Sequence, residues 1–559
     1  MDNHKISETH NSQGDKNIQP TTADLLTKQL LEKDIRTIFA LPGVQNDHLF
    51  DAFYRAESPL KIIHTRHEQG AAYMALGASM ATGEASAFVV APGPGVLNTT
   101  AALCTADACN APVICITGQI PSSLIGKGYG ILHELPDQLG TMQSITRWAS
   151  RIDRPDEAEI SVDEAFDNAT QGRPGPVALE CAMDIWSKRL DEDDVSGQKD
   201  CTGIEQPMAA EQLANAAAGL LRAAKRPLII VGGGAQHASK EVIELAELLS
   251  APVVAHRMGH GIIDTRHPLA ANIVSGADHW ANADVVIGIG TRLQLQQMGW
   301  GIDDDLKVIR IEIDPEEMNR FRAPDIGLLG DAQLETARIL KLLGSDKKTS
   351  PDRAEEIANV REKAEQQVSF LEPQISFLNA IREVLPETGI FVDELTQLGY
   401  VSRLTFPVYH PRTYLSPGYQ GTLGWGLPVA MGAKVACPEK PVVAVSGDGG
   451  FMFNVQELAT AVQHKISVAV VLVDDGAFGN VRRTQEEDFS GRVIASELQN
   501  PDFVALAKEF GARGTKATTP DELKQALTEA FKHELPTVIV VPAQSMPSPW
   551  EFLRPKKRR

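Results

Sequence analysis

From Thr21 onward, short runs of mostly apolar, often β-branched residues alternate with stretches whose apolar positions recur at helical spacing. Arg36-Thr-Ile-Phe-Ala-Leu41, Ala87-Phe-Val-Val-Ala91, Val113-Ile-Cys-Ile-Thr117 and Val177-Ala-Leu-Glu180 are the clearest of the short runs. Few polar positions break them, which is the pattern of strands covered on both faces. Glu68 to Ala81 is the clearest helical stretch between them. One buried strand followed by one helix, repeated, predicts a parallel sheet coated with helices. The alternation restarts at Arg226-Pro-Leu-Ile-Ile-Val-Gly232 and again near Gln374, each time after a polar, charged stretch. The expected fold class is therefore α/β, with three doubly wound parallel-sheet domains spanning 19–190, 207–345 and 371–545. Linkers are expected at 191–206 and 346–370, a disordered polar arm at 1–18 and a tail at 546–559.

Composition narrows the function class. The chain has 559 residues, too many for a single core. With 53 basic and 73 acidic side chains the net charge is −20, which disfavours nucleic acid or an anionic membrane as partner. The single basic patch, Arg554-Pro-Lys-Lys-Arg-Arg559, reads as a solvated end. No run of about 18 apolar residues is present, so a cytoplasmic protein acting on small molecules is expected. The six cysteines have no CxxC spacing and mostly sit in apolar runs, so neither metal nor disulfide is assigned to them.

The most informative segment is Val442-Val-Ala-Val-Ser-Gly447-Asp-Gly-Gly450, followed by Val468-Ala-Val-Val-Leu-Val-Asp-Asp475-Gly-Ala-Phe478. Each buried strand ends in an acid, Asp448 and Asp475, at the sheet edge where open parallel sheets bind ligands. Gly447, Gly449 and Gly450 let backbone N–H groups approach an anion, with a helix expected to start near Asn454. The two acids can bring hard oxygens to a magnesium ion bridging a phosphate. Gly-Asp-Gly alone is a common turn; the spacing of 475 − 448 = 27 residues carries the argument.

That strand, helix, strand unit resembles the diphosphate-binding motif of thiamine-diphosphate-dependent enzymes, in which an Asn usually stands where this chain has Asp475. The resemblance implies metal ligation by Asp448, Asp475 and the Ala477 carbonyl, with Phe478 beside the cofactor. The extra carboxylate calls for a nearby cation, for which Arg482 and Arg483 are candidates. Further pieces of the family pattern follow. In Gly421-Thr-Leu423-Gly-Trp-Gly, Gly421 would accept the 4′-amino group of the pyrimidine and Leu423 would wedge between the two rings. Thr396 and Gln397, in Asp393-Glu-Leu-Thr-Gln397, would cap the diphosphate. In Ile62-Ile-His-Thr-Arg-His-Glu68, Glu68 would hydrogen-bond the pyrimidine N1′, so that the 4′-nitrogen can take the C2 proton. Gln119, in Thr117-Gly-Gln119, would bind substrate oxygens or else cap its own turn.

Where several relatives place an acid, hydroxyl or imidazole after Leu41-Pro-Gly43, this chain has Val44. Proton transfer to a bound aldehyde would then fall to Gln45, Asn46, His48 or water, with His133 and Glu134 as further polar candidates. No adjacent histidine pair lies between Asn98 and Gln119, which disfavours simple aldehyde release. The resemblance covers nearly the whole chain after residue 20 and is nearest to acetolactate synthase, benzoylformate decarboxylase and benzaldehyde lyase. It implies a lyase or transferase that joins or splits C–C bonds of 2-oxo acids, with thiamine diphosphate and Mg2+ as cofactors. FAD in the central domain is admitted but not favoured, since the turn Gly232-Gly-Gly234 is needed for packing in any case. The site would lie between subunits of a homodimer or homotetramer. A 2-hydroxyketone or diketone lyase is the alternative within the class, and a non-catalytic nucleotide or flavin sensor the alternative outside it.

Overall fold

The computed structural model describes residues 19–191, 208–345, 351–554 and 556–559. The expected arm, nearly all of the first linker and the start of the second lie outside the described residues. Three six-stranded sheets, all of whose strand pairs are parallel, account for the fold. The first uses β1 (Thr37–Ala40), β2 (Lys61–His64), β3 (Ser86–Val90), β4 (Val113–Gln119), β5 (Trp148–Ile152) and β6 (Val177–Ala182). The second uses β7 (Pro227–Val231), β8 (Val253–Ala255), β9 (Ala270–Ala271), β10 (Val285–Ile289), β11 (Lys307–Glu312) and β12 (Ile326–Leu329). The third uses β13 (Ile390–Asp393), β14 (Tyr414–Leu415), β15 (Val442–Gly447), β16 (Ala469–Asp474), β17 (Arg513–Lys516) and β18 (Thr537–Pro542).

Strand order separates the domains into two kinds. The outer sheets run β2-β1-β3-β4-β6-β5 and β14-β13-β15-β16-β18-β17, the same order when numbered within each domain. The central sheet runs β12-β11-β10-β7-β8-β9, the 3-2-1-4-5-6 order of dinucleotide-binding folds. Its turn Gly232-Gly-Gly234 packs tightly: a Cβ at Gly232 would lie 2.4 Å from the Gly290 oxygen, and one at Gly234 2.9 Å from the Gly290 Cα.

Two stretches differ from expectation. Part of the second linker is an 18-residue helix, Pro351–Val368, whose Ile357, Ala364 and Val368 are buried. The basic end is tied down at its last residue, Arg559, while Arg554, Lys556, Lys557 and Arg558 keep the exposed side chains expected of a solvated end. Arg559 donates from Nη1 to Asp303 at 2.8 and 3.1 Å and from Nε to the Trp280 carbonyl at 2.8 Å. Its backbone N–H and that of Arg558 reach the Trp300 carbonyl. The anchors belong to the central domain, more than 250 residues away, so no local pattern announces them. Among the described residues no helix is long and apolar enough to cross a membrane.

The first and third domains share one apolar core, in which Tyr73, Met74 and Leu76 pack with Leu427, Val429 and Met431. These residues belong to two helices, Glu68–Thr82 and Gly426–Ala436, hereafter the Glu68 and Gly426 helices. The helices meet backbone to backbone: a Cβ on Gly77 would stand 2.1 Å from the Val429 oxygen, and one on Gly432 1.9 Å from the Met74 oxygen. Backbone oxygens inside helices cannot move aside. Gly432→Ala is therefore expected to destabilise by about 2 kcal/mol or more through overpacking. Gly219, exposed on the helix Glu211–Ala223 with nothing within 4 Å of its added Cβ, is the control. Gly219→Ala should stabilise by roughly 0.5–1 kcal/mol. Thermal unfolding of the two variants checks the contrast.

Candidate active site

Both outer domains place their polar residues at the carboxyl ends of their strands. In the third domain these ends surround a cavity of about 240 Å3. Eleven of the twelve residues expected to touch the cofactor line it: Thr396, Gln397, Gly421, Leu423, Gly447, Asp448, Gly449, Gly450, Asp475, Ala477 and Phe478. Glu68, the twelfth, does not.

The diphosphate turn departs from expectation in one respect. Helical geometry starts at Asp448, over Asp448–Phe451, and resumes at Glu457–Gln463. Asn454, read as a helix start, instead donates from Nδ2 to the Gly424 carbonyl at 2.6 Å and to Gln69 at 3.1 Å. Gly449 is needed where it stands, because a Cβ there would lie 2.5 Å from the Phe478 ring. Asp448 accepts from Gly449 N at 2.8 Å, Gly476 N at 2.8 Å and Asn500 Nδ2 at 2.6 Å. Asn500 also donates to Asp474 at 2.8 Å, holding two acids apart. Asp475 accepts from Gln397 Nε2 at 2.7 Å and from Ala477 N at 3.3 Å. The strand-like bridge between Ala477 and Glu497 fixes the backbone whose carbonyl was expected as a ligand.

Burial pushes the Asp475 carboxyl up to about 6, and the charge of Asp448 adds to the effect. Burial likewise raises Asp448, with Asp474 contributing. The arginines do not offset this charge by pairing. Arg482 is spent on Glu486 at 2.9 Å, and Arg483, which lines the cavity, donates to the Met546 carbonyl at 2.6 Å. Two close, hydrogen-bonded carboxylates with raised affinity for a proton suit a hard divalent cation.

Thr396 caps the helix Gln397–Thr405, its Oγ1 accepting from Leu398 N and Gly399 N at 3.1 Å each. Gln397 joins the site to the final segment of the chain, since its Oε1 accepts from Met546 N at 2.6 Å. Pro547, Pro549 and Trp550 of that segment complete the cavity wall. Trp550 donates to Asn480 Oδ1 at 2.7 Å and packs on Tyr400, ring centroids 4.8 Å apart.

In the first domain, Gln45 follows β1, Glu68 follows β2 and Gln119 ends β4. Glu68 opens its helix, where a carboxylate is favoured by the unpaired N–H groups. Asn98 Nδ2 donates to its Oε2 at 3.0 Å. Gln45 and Asn46 are buried with side-chain amide oxygens that have no partner among the described residues. The Gln119 oxygen accepts from its neighbour Ile120 N at 2.8 Å, so the turn-capping role is the one observed. Its amide also points to Glu180, which Gln138 and Arg151 hold at 2.9 and 2.6 Å. His48 does not join this group; it is exposed on the helix Asp47–Arg55. Glu134 is spent within its own loop, accepting from Gly128, Gly130 and Ile131 N. His133 there has φ +68°.

Three residues beyond those expected tie the half-sites into the fold. Glu457 accepts from Arg66 N at 3.1 and 3.2 Å and from His67 N at 2.9 Å, and so locates the start of the Glu68 helix against the third domain. Asn500 bridges two acids, as above. Glu394, fully buried at the end of β13, lines the cavity. Each is a single polar residue in a loop, at a helix start or after a strand, and two adjacent acids at 393 and 394 were the one available signal.

A groove of the central domain opens toward the cavity. Two spaces of about 390 and 700 Å3 share Asn110, Gly233, Met258, Gly290 and Arg292, and the larger shares Leu395, Tyr400, Gly421 and Trp550 with the cavity.

The chain matches three parts of one family: the thiamine pyrophosphate enzyme N-terminal TPP binding domain at residues 20–142, the central domain at 214–340, and the C-terminal TPP binding domain at 396–541. It is 34% identical to a probable acetolactate synthase large subunit of Methanocaldococcus jannaschii, covering 94% of this chain and 93% of that protein. It is 32% identical to an acetolactate synthase of Arthrospira platensis, covering 93% and 94%. It is 31% identical to a probable 2-ketoarginine decarboxylase of Pseudomonas aeruginosa, covering 93% of each. With all three domains matched in order and relatives similar over nearly the whole chain, the chain belongs to the thiamine pyrophosphate enzymes.

Proposed function

We propose that this protein is a carboligase of acetolactate synthase type, joining the carbon unit left by decarboxylation of a 2-oxo acid to a second carbonyl compound. The observation that carries the reading is the cavity in which the expected cofactor residues converge while Glu68 stands outside it. When bound, thiamine diphosphate supplies a carbon nucleophile that adds to carbonyls and stabilises the charge left by departing carbon dioxide. Asp448, Asp475 and the Ala477 carbonyl would hold Mg2+ in this reading, and the N–H of Gly450 would face the diphosphate. Thr396 and Gln397 close its far side. Gly421 and Leu423 would receive the pyrimidine, and Glu68 would hold a proton in a hydrogen bond to N1′. Gln45 is a buried amide, suited to orienting the oxygen of an acceptor rather than to protonating an aldehyde precursor. This favours ligation over simple decarboxylation.

Glu68 reaches the cofactor in this reading from a second copy of the chain. Apolar side chains stand exposed around each half-site: Val44, Leu97, Tyr129 and Leu132 in the first domain, Met452, Phe453 and Val481 in the third. Such patches suit a self-complementary interface. A homodimer, or a pair of dimers, is the assembly proposed, with cytoplasmic location. The reaction involves no net oxidation and so requires no flavin, although the central groove has room for a dinucleotide. The absorbance spectrum of the purified protein decides that point.

Glu68→Gln should lower turnover of pyruvate to acetolactate by about 10²- to 10⁴-fold, the range for loss of acid–base catalysis, with cofactor still bound. Mixing Glu68→Gln and Asp448→Asn subunits tests the shared site. Random reassociation into dimers should recover about a quarter of wild-type activity, because each mixed dimer holds one intact site. Recovery of none would place the whole site within one chain.

Metal affinity carries its own signature. Below the Asp475 value of about 6, binding must displace a proton, so affinity for Mg2+ with thiamine diphosphate should fall about tenfold per pH unit and level off above it. Asp475→Asn should flatten that dependence. Cofactor titrations by tryptophan fluorescence between pH 5 and 8 measure both.

A further inference from the structure

The carboxyl of Glu394 is 1% exposed, lines the cofactor cavity, and has no cation partner among the described residues, whereas its neighbour Asp393 is paired with Arg403 at 2.8 Å. Its oxygens are shared between the two turns that hold opposite ends of the cofactor. Gly424 N, in the turn carrying Gly421 and Leu423, donates to Oε1 at 2.6 Å. Ser446 Oγ, immediately before the diphosphate turn, donates to Oε2. Two glycines leave room for it. A Cβ on Gly426 would lie 2.7 Å from Oε2, and one on Gly450 2.4 Å from Oε1. Trp425 Nε1, donating to the Asp393 carbonyl at 3.0 Å, seats the pyrimidine turn on the same strand end.

We propose that Glu394 is a positioning residue that locks the pyrimidine turn to the diphosphate turn and so sets the span over which the cofactor is bent. The inference rests on the reading that thiamine diphosphate occupies this cavity through these two turns. A side chain with an acceptor at each end of a short planar group is what two facing donors need. No other side chain bonds both turns in this way among the described residues: Asn454 ties Gly424 to the Glu68 helix instead. Burial pushes the Glu394 carboxyl up to about 7, the charge of Asp393 adding to this and the two hydrogen bonds opposing it. The other titratable groups facing it are Tyr73, across the interface from the first domain, and Asp448 and Asp475 across the cavity.

The test compares binding of the whole cofactor with binding of one end. Glu394→Ala should weaken thiamine diphosphate with Mg2+ by roughly tenfold or more, since it leaves a buried donor unpaired and frees the turn. Affinity for Mg2+ with inorganic diphosphate, which uses one turn only, should stay within about threefold of wild type. Glu394→Gln keeps an acceptor for Gly424 and a donor for Ser446. It should restore cofactor affinity while removing a step near pH 7 from the pH dependence of cofactor binding. Equal weakening of cofactor and diphosphate in Glu394→Ala would overturn the proposal and mark a general loss of structure. So would unchanged cofactor affinity. Failure of the wild-type protein itself to bind thiamine diphosphate would sink the underlying assignment instead, which the same titrations show separately.

Discussion

The backbone contact between the Glu68 and Gly426 helices is the constraint on which the rest of the structure depends. Two glycines, Gly77 and Gly432, let the helices touch at carbonyl oxygens, where any side chain would collide. Because the contact joins the first and third domains, it also joins the two half-sites. Tyr73 meets Thr422 at 3.0 Å, one residue from both Gly421 and Leu423. Glu457, in turn, holds the N–H groups of Arg66 and His67, just before Glu68. The acid of one domain is thus located by groups of the other, and a shift in the helix pair would move both. A packed core transmits such shifts with little loss because it is nearly incompressible.

That same contact explains why Glu68 stands outside the cavity of its own chain. Its helix is oriented by the core it shares with Leu427, Val429 and Met431, and its carboxylate is turned to Asn98 in the first domain. The two outer sheets have one strand order and present their ligand edges separately. Under the proposed assembly, a second chain supplies to each cavity the edge that its own chain holds elsewhere. The exposed apolar residues beside both edges are the surfaces such a chain would cover.

Much of this was legible in the sequence, where the physics is local. Buried parallel strands are nearly continuous apolar runs, and β3, β4 and β15 show that pattern without ambiguity. The site residues of the third domain sit at fixed distances from such strands, so their spacing carried them. What could not be read depends on partners distant in the chain. Arg559 is held by Trp280, Ala283, Trp300 and Asp303, and nothing near residue 559 signals them. Strand order, which distinguishes the central domain from its neighbours, is likewise set by pairing across loops. Asn454 looked like a helix start because Gly449 and Gly450 weaken any helical expectation before it. In the fold its amide serves Gly424 instead, and the first helical turn begins at Asp448.

The cavity's charge has a consequence for what it accepts. Its wall holds Asp448, which burial and Asp474 make harder to ionise, and Asp475, which burial and Asp448 make harder to ionise, with no arginine paired to either among the described residues. A free diphosphate would add negative charge to that wall and be repelled, while a bare cation would leave the positive end of the glycine turn at Gly450 unused. Under the proposed function, a magnesium–diphosphate complex would satisfy both together. A site of that kind would bind metal and cofactor as linked events, each strengthening the other by the same factor. The carboxyls that make the empty cavity electrostatically costly are therefore what makes the filled one specific. Asp475, where relatives of this family usually have Asn, carries that coupling further in this chain by adding a proton to the exchange.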